Sequence, residues 1–322
     1  MDRELVSLIA QANFVDLFLG ETFCDVKGLH GAATPRVPAP AQWEDEVAEL
    51  RQRCRTTYAQ HGEPEFSVTL EDVMLRVTKV TDVNLQDVFF VRRSSAQIRK
   101  LDDLGFPDHV LNAWRSQELR GLVLVAGEMA NGKTSTAAGM VVDRMQRHGG
   151  LTIAIEDPPE TKLSGEHGPG RVVQIQASKK TGGYAEHLYH AMRTGADLIF
   201  LGEIRDQATA CEALTASING HLILATLHAG NVAQALDRIV TLAGAGFENA
   251  NEVLATGLGM VIWQSLHRDH RADKVFTRMT VQPLVLNGSD APGIREKIRQ
   301  GKTQNVMQDV LLQMNSAQWN DD

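Results

Sequence analysis

The sequence predicts an α/β protein in two parts: a mainly parallel sheet interleaved with helices, preceded by a small α+β domain. Three observations predict it. Residues 122–126, 152–155, 198–201 and 222–225 are continuous apolar runs, the pattern of strands buried on both faces of a parallel sheet. Residues 66–93 instead alternate, in FSVTL, VMLRVTKV and DVFFVRR, as strands with one solvated face do. Between the first apolar run and a predicted helix over 135–147 lies GEMANGKT, which fits GxxxxGK[ST].

The length of 322 residues accommodates two domains at roughly 100–200 residues each. Hydrophobic residues make up 43%, enough for packed cores. In order, residues 5–19 mix a helix with a short strand, and the Pro- and Ala-rich stretch 31–42 reads as a loop. Residues 43–60 place Trp43, Val47, Leu50 and Cys54 at helical spacing. The break at Leu104-Gly105-Phe106-Pro107, followed by a short helix, marks a linker. The expected domains are therefore 1–103, a linker over 104–119, and 120–322, whose last part, from about 271, is expected to be helical.

Several classes are disfavoured. The net charge of −8 argues against a basic nucleic-acid surface over the whole molecule. Cys24, Cys54 and Cys211 are odd in number and scattered, which suggests neither a disulfide framework nor a zinc site. Asp2, Arg3 and Glu4 do not make the basic start of a signal peptide, and no stretch of about 18 apolar residues appears. A cytoplasmic protein without a transmembrane segment is expected, with peripheral attachment at the inner membrane left open.

In open α/β sheets, ligands sit at the carboxyl ends of strands. There the loop Gly127, Glu128, Met129, Ala130, Asn131, Gly132, Lys133, Thr134, with Ser135 opening the helix, forms a candidate phosphate cradle. Gly127 and Gly132 let the backbone turn tightly enough for its N–H groups to face phosphate oxygens. Lys133 is expected to reach the β- and γ-phosphates of ATP, and Thr134 to ligate Mg²⁺. Glu156-Asp157-Pro158-Pro159-Glu160 follows the second apolar run. Alone it reads as a turn with solvated carboxylates; at a strand end beside the loop, it can orient a water or the metal's water shell. Asp197 precedes the third run and is expected to anchor it, while Glu203 follows it, near Mg²⁺ or the attacking water. Thr226 and His228 close the fourth run, where they could sense the γ-phosphate; His221 reads equally as a structural residue.

The four boxes GEMANGKT, AIEDPPE, DLIFLGEIRD and GHLILATLH, in this order, resemble the Walker A, Asp, Walker B and His boxes of the PilT-type secretion and traffic ATPases. That family includes pilus motors and the ATPases of type II and type IV secretion and of conjugation. FSVTL, MLRV and VFFVRRSS upstream, and GIREKIRQGKTQNVMQDVL near the end, extend the likeness over most of the chain. The resemblance implies a PAS-like domain before a RecA-like ATPase domain, ATP bound between the two, a homohexamer, and docking on inner-membrane secretion or pilus platform proteins. It implies arginines from the first domain that complete the site. Arg76 and Arg92 match best, with Arg93 a close competitor to Arg92, and Arg193 and Arg205 match positions beside Walker B. Glu203 with Glu156 or Glu160 would position the water.

Glu128, Met129, Ala130 and Asn131 stand where the family usually has Pro-Thr-Gly-Ser, so nucleotide binding is expected but a high turnover rate is not. The second proline of the Asp box, Pro159, and the short tail after the last matched segment place the chain nearest in kind to the TraJ and DotB ATPases of plasmid conjugation and type IVB secretion. The expected function is a cytoplasmic motor ATPase. The alternatives are a nucleotide-gated ring scaffold with negligible hydrolysis and a DNA translocase, against which the acidic balance speaks.

Overall fold

A computed structural model describes residues 7–94, 98–271 and 274–318, with only the backbone path described for 268–271, 274–276 and 316–318. Asp2, Arg3 and Glu4, Ser95 of the VFFVRRSS stretch and residues 319–322 lie outside the described residues. The chain divides into two compact units. The first comprises Met1–Ala96, Glu156–Lys162 and Gln176–Gly183; the second Gln97–Ile155, Leu163–Ile175 and Tyr184–Asp322.

The first unit contains α1 (Leu8–Gln11), β1 (Asp16–Leu19), β2 (Cys24–Lys27), β3 (Arg36–Pro38), α2 (Glu44–His61), β4 (Glu65–Leu70), β5 (Val73–Thr81) and β6 (Asp87–Arg93). The strands form one sheet in the order β3-β2-β1-β6-β5-β4, antiparallel throughout. Helix α2 begins with Glu44, Asp45 and Glu46, whose charge suits the positive end of the helix dipole. It ends at Gly62, whose φ of 68° gives a left-handed cap. Its Val47, Leu50 and Cys54 bury against Leu17, Phe66, Leu75, Val77, Phe89 and Val91 from one face of the sheet. Strand alternation sends Asp16, Arg92, Arg76 and Ser67, successive cross-strand partners, to the other face. The stretch 31–42, expected as a loop, contributes β3. Proline is tolerated there because β3 is an edge strand.

The second unit contains α3 (Asp108–Trp114), β7 (Gly121–Gly127), α4 (Lys133–His148), β8 (Gly150–Glu156), β9 (Gly165–His167), β10 (Gly170–Gln176), α5 (Gly183–Ala191), β11 (Leu198–Leu201) and α6 (Gln207–Ile218). It continues through β12 (Leu222–His228), α7 (Val232–Ala243), α8 (Ala250–Gly257), β13 (Leu258–Arg271), β14 (Lys274–Val285), α9 (Ala291–Arg299) and α10 (Val306–Gln318). Its eight-stranded sheet runs β14-β13-β7-β12-β11-β8-β10-β9. The pairs β13–β7, β7–β12, β12–β11 and β11–β8 are parallel. Every residue of β7 and of β11 is buried, which accounts for their unbroken apolar sequences. Asp197 anchors β11 to β8: its amide donates to the Leu151 carbonyl, and its Oδ2 accepts from the Leu151 amide, both at 2.8 Å.

Two expectations are corrected. Residues 104–119 belong to the second unit: Phe106, Val110, Leu111, Ala113, Trp114 and Leu119 pack in one core with strand residues such as Val123, Leu198 and Met260. The Gly-Phe-Pro break is thus a turn inside a unit. Residues 274–285, expected in a helical tail, form the antiparallel strand β14, which pairs along β13 from Arg271–Lys274 to Met260–Val285. Its β-branched and aromatic residues, Val275, Phe276, Thr277, Thr280 and Val281, favour a strand.

The packing of α3 gives a direct test. Trp114 is 1% exposed. Trp114→Ala should destabilise the protein by about 3–5 kcal/mol, and Trp114→Phe by much less, because it keeps most of the buried volume. The shift of the urea midpoint measures both.

Candidate functional site

Strand β7 ends at Gly127 and α4 begins at Lys133, so the loop between them turns the chain at the carboxyl edge of the parallel strands. Gly132, at φ 74°, is the residue before the helix, a backbone angle suited to glycine. A β-carbon at Gly127 would stand 2.4 Å from the carbonyl oxygen of Gln264. The free N–H groups of a helix start and its dipole make this edge suited to an anion. Lys133 is buried, and its Nζ donates to the Glu128 carbonyl at 2.8 Å, folding back across the loop. Glu128, Met129 and Ala130 are exposed, and Asn131, Thr134 and Ser135 are half-buried. Ala130, where a glycine was missed in the sequence, has φ 62°. A β-carbon in the left-handed region costs about 1–2 kcal/mol.

Glu203 follows β11, with its side chain 15% exposed. Its Oε2 accepts from Arg205 Nε at 2.7 Å, and His228 Nε2 lies 3.5 Å from its Oε1. Thr226 is buried and donates its hydroxyl to the Gly202 carbonyl. Its own carbonyl accepts from the Ile204 amide at 3.0 Å, tying the Glu203 turn to β12. His221 lies at the other end of β12, where its carbonyl accepts from the Gly121 amide. Arg193 is exposed, in the turn after α5, and held by that helix: its guanidinium lies 3.6 Å from the Tyr189 ring centre. Glu128, Met129, His228, Gly230, Gln234 and Arg238 line an open cleft of about 330 Å³.

The second unit therefore brings Lys133, Glu203, His228, Thr226 and Arg205 to one region. The acidic box and the N-terminal arginines fall in the first unit. There Arg76 Nη1 donates to Glu160 Oε1 at 2.7 Å, so a candidate arginine finger and a candidate water-positioning carboxylate form an ion pair. Ser67 Oγ donates to the Pro159 carbonyl at 2.7 Å, and Ser94 Oγ to that of Glu160 at 2.5 Å, fixing the segment on the sheet. Glu156 is buried. Arg92 donates from Nε to Asp16 Oδ1 at 2.7 Å and is mostly exposed; its cross-strand partner is Arg76. Arg93 donates to the Ala12 carbonyl at 2.6 Å. Arg92 thus shares a face and a register position with Arg76, and Arg93 does not.

Residues that the motifs did not single out also touch the loop. Gln264 Nε2 donates to the Asn131 carbonyl at 2.5 Å, and the Leu266 amide donates to Asn131 Oδ1 at 3.1 Å. Both come from β13, more than a hundred residues away in sequence, so no local spacing announces them. Arg238, on α7, joins the cleft by the same long-range packing.

The type II/IV secretion system protein family matches residues 58–314. Among known proteins, the uncharacterized protein YggR of Escherichia coli is 30% identical over 308 residues, covering 94% of this chain and 90% of its own. The twitching motility protein of Neisseria gonorrhoeae is 29% identical over 273 residues, 83% of this chain and 70% of that one. Among solved structures, the pilus retraction motor PilT with bound ADP is similar, with TM-score 0.73 and 26% identity over 97% of this chain and 90% of that one. The Legionella pneumophila ATPase DotB shares the fold, with TM-score 0.71 at 19% identity over 92% of this chain and 84% of that one.

The charges around His228 make the region's electrostatics measurable. Burial, then the charge of Lys133, pushes His228 below its ordinary 6.5; Glu203 opposes this, and Arg238 and Arg205 add to it. The folded ring holds its proton less tightly than the unfolded one. Its contribution to stability is therefore full above about pH 6.5 and is lost as pH falls below that through the depressed folded value. We expect NMR titration to give His228 a midpoint below 6.5, Lys133→Met to raise that midpoint, and His228→Gln to flatten the fall in stability below pH 6.5.

Proposed function

The chain belongs to the type II/IV secretion system protein family, and from that membership we propose that it is a motor ATPase that hydrolyses ATP to ADP and phosphate to drive a pilus or secretion machine. The observation that carries this reading is the loop 127–134. It has glycines where the backbone needs them, a lysine folded across it, and a helix starting beneath it at the carboxyl edge of a parallel sheet. In this reading the loop amides and Lys133 take the β- and γ-phosphates. The remaining loop residues Gly127 to Thr134, with Ser135, shape the cradle.

The donors available for Mg²⁺ are the hydroxyl of Thr134 directly and the carboxylate of Glu203 through a water, hard oxygens of the kind this ion takes alongside waters and phosphate. Bound there, Mg²⁺ would offset charge on the β- and γ-phosphates. Glu203, oriented by Arg205 and adjacent to His228, is assigned to hold the attacking water. His228, kept neutral by its surroundings, offers an uncharged ring to the γ-phosphate. Glu160, with Glu156 as the alternative, is assigned as the second water-positioning carboxylate. Arg76 and Arg92 are assigned to offset charge on the transferred phosphoryl group. A homohexamer docked on inner-membrane platform proteins completes the reading. No helix among the described residues is long and apolar enough to cross a membrane.

A second reading, a nucleotide-gated ring with very slow turnover, is favoured by one observation: Ala130 occupies a left-handed position in the loop. Measured phosphate release separates the two.

Lys133→Ala should abolish ATP turnover and weaken nucleotide binding while leaving the thermal midpoint of the nucleotide-free protein near that of the parent. Wild-type hydrolysis in this variant removes the loop from the mechanism.

Arg76→Ala should cut turnover by about ten- to a thousand-fold with nucleotide affinity largely kept, as for arginine fingers generally. Unchanged turnover would leave Arg76 only its ion pair with Glu160.

A further inference from the structure

Strand β13 makes its last pairing with β7 between Trp263 and Ala126. One residue later β7 leaves the sheet as the loop, and β13 continues beneath it. Four contacts follow in the space of three residues. The Gln264 carbonyl stands against Gly127, where a β-carbon would come within 2.4 Å. The Gln264 side chain donates from Nε2 to the Asn131 carbonyl at 2.5 Å. The Leu266 amide donates to Asn131 Oδ1 at 3.1 Å. Leu266 Cδ1 lies 3.0 Å from where a β-carbon at Gly132 would be. Residues 264–266 are thus the floor of the loop; the Gln264 carbonyl accounts for glycine at 127, and at 132 the φ of 74° calls for glycine while Leu266 crowds the same space.

Gln264 is wholly buried, and its Oε1 has no hydrogen-bond partner among the described residues. A desolvated amide with one half unpaired is less stable than an apolar side chain of the same size. Packing alone does not explain a glutamine here, whereas its paired half has an effect that a leucine could not supply. In a trans peptide the carbonyl and the following N–H point in opposite directions. Drawing the Asn131 carbonyl down to Nε2 turns the Gly132 N–H away from the floor, toward the open side of the loop. The need is acute because the preceding residue, Ala130, carries a β-carbon at φ 62° and by itself favours leaving that conformation.

We infer that Gln264 is a positioning residue for nucleotide phosphate. Its amide, seconded by the Leu266 N–H, holds the Asn131–Gly132 peptide in the phosphate-receiving orientation that a glycine at position 130 would otherwise adopt unaided. This rests on the reading of the loop as a phosphate cradle.

The test uses the full chain and a fluorescent ADP analogue. Gln264→Leu keeps bulk and removes the donor; Gln264→Met keeps the unbranched shape and removes the donor. Both should weaken the analogue's affinity about ten-fold, with maximal ATP turnover changed by less than about three-fold. Adding Ala130→Gly to Gln264→Leu should recover at least half of the lost affinity on a logarithmic scale, because the loop then no longer needs to be held. Should the Gln264 variants not fold, Asn131→Ala carries the test from a half-buried loop position. It cuts the Leu266 tether, and should show a smaller loss in the same direction that Ala130→Gly also recovers. Parental affinity in the folded variants, or a loss that Ala130→Gly leaves untouched, overturns the inference, since a general packing defect would not respond to relief at residue 130. Lys133→Ala separates the two levels. If it abolishes binding of the analogue while Gln264→Leu does not weaken it, only the role of Gln264 falls; if Lys133→Ala binds normally, the cradle reading itself falls.

Discussion

Parallel pairing of β13, β7, β12 and β11 brings the carboxyl ends of these strands to one edge, and what the chain can do there is limited by how closely its backbones approach. Where β7 leaves the sheet, the neighbouring strand does not stop, so the departing chain must climb over a carbonyl and a leucine side chain. A β-carbon at 127 would collide with that carbonyl, and at 132 the left-handed backbone, φ 74°, calls for glycine. The amides of the intervening loop, the helix that starts at Lys133 and the lysine's return to Glu128 O all follow from that one crowded crossing. Lys133 in turn sets the field felt by His228, so the geometry of the crossing reaches the protonation of a ring on another strand.

Much of this could be read in advance. Strands β7, β8, β11 and β12 announced themselves because burial on both faces leaves each a run of mostly apolar residues. The loop was readable because its glycines and lysine keep the fixed spacing GxxxxGK[ST] between a strand and a helix, whatever packs beneath them. Helix α2 was readable from the spacing of Trp43, Val47, Leu50 and Cys54, all of which are buried. What escaped depends on contacts distant in sequence. The β13–β14 hairpin mixes apolar and charged residues without a clean period, because half of it projects past the strand it pairs with. Gln264 looks unremarkable in VIWQSLH, and its importance comes only from lying beneath Asn131. The break at residues 104–107 resembles a boundary because Gly and Pro interrupt a pattern, yet apolar Val110 and Trp114 just beyond it are core residues.

The first unit shows how one polar sheet face manages charge. Asp16 sits between Lys27 and Arg92 as cross-strand partner of both, and Arg76, next in the row, is balanced by Glu160. Two arginines placed opposite one another on neighbouring strands repel. Each is given its own carboxylate, from different parts of the chain, which leaves the pair compatible with folding while keeping both guanidinium groups on the same face.

Glu160 reaches Arg76 because residues 156–162 and 176–183, although they come late in the sequence, cluster with the first unit. The gene therefore does not encode the two units as consecutive blocks. A recombination junction placed between them at residue 97 would hand a recipient the first unit without two of its segments, among them the acidic partner of Arg76. Residues 1–96 on their own are therefore not the whole first unit, and Arg76 in such a piece would keep its charge without its carboxylate.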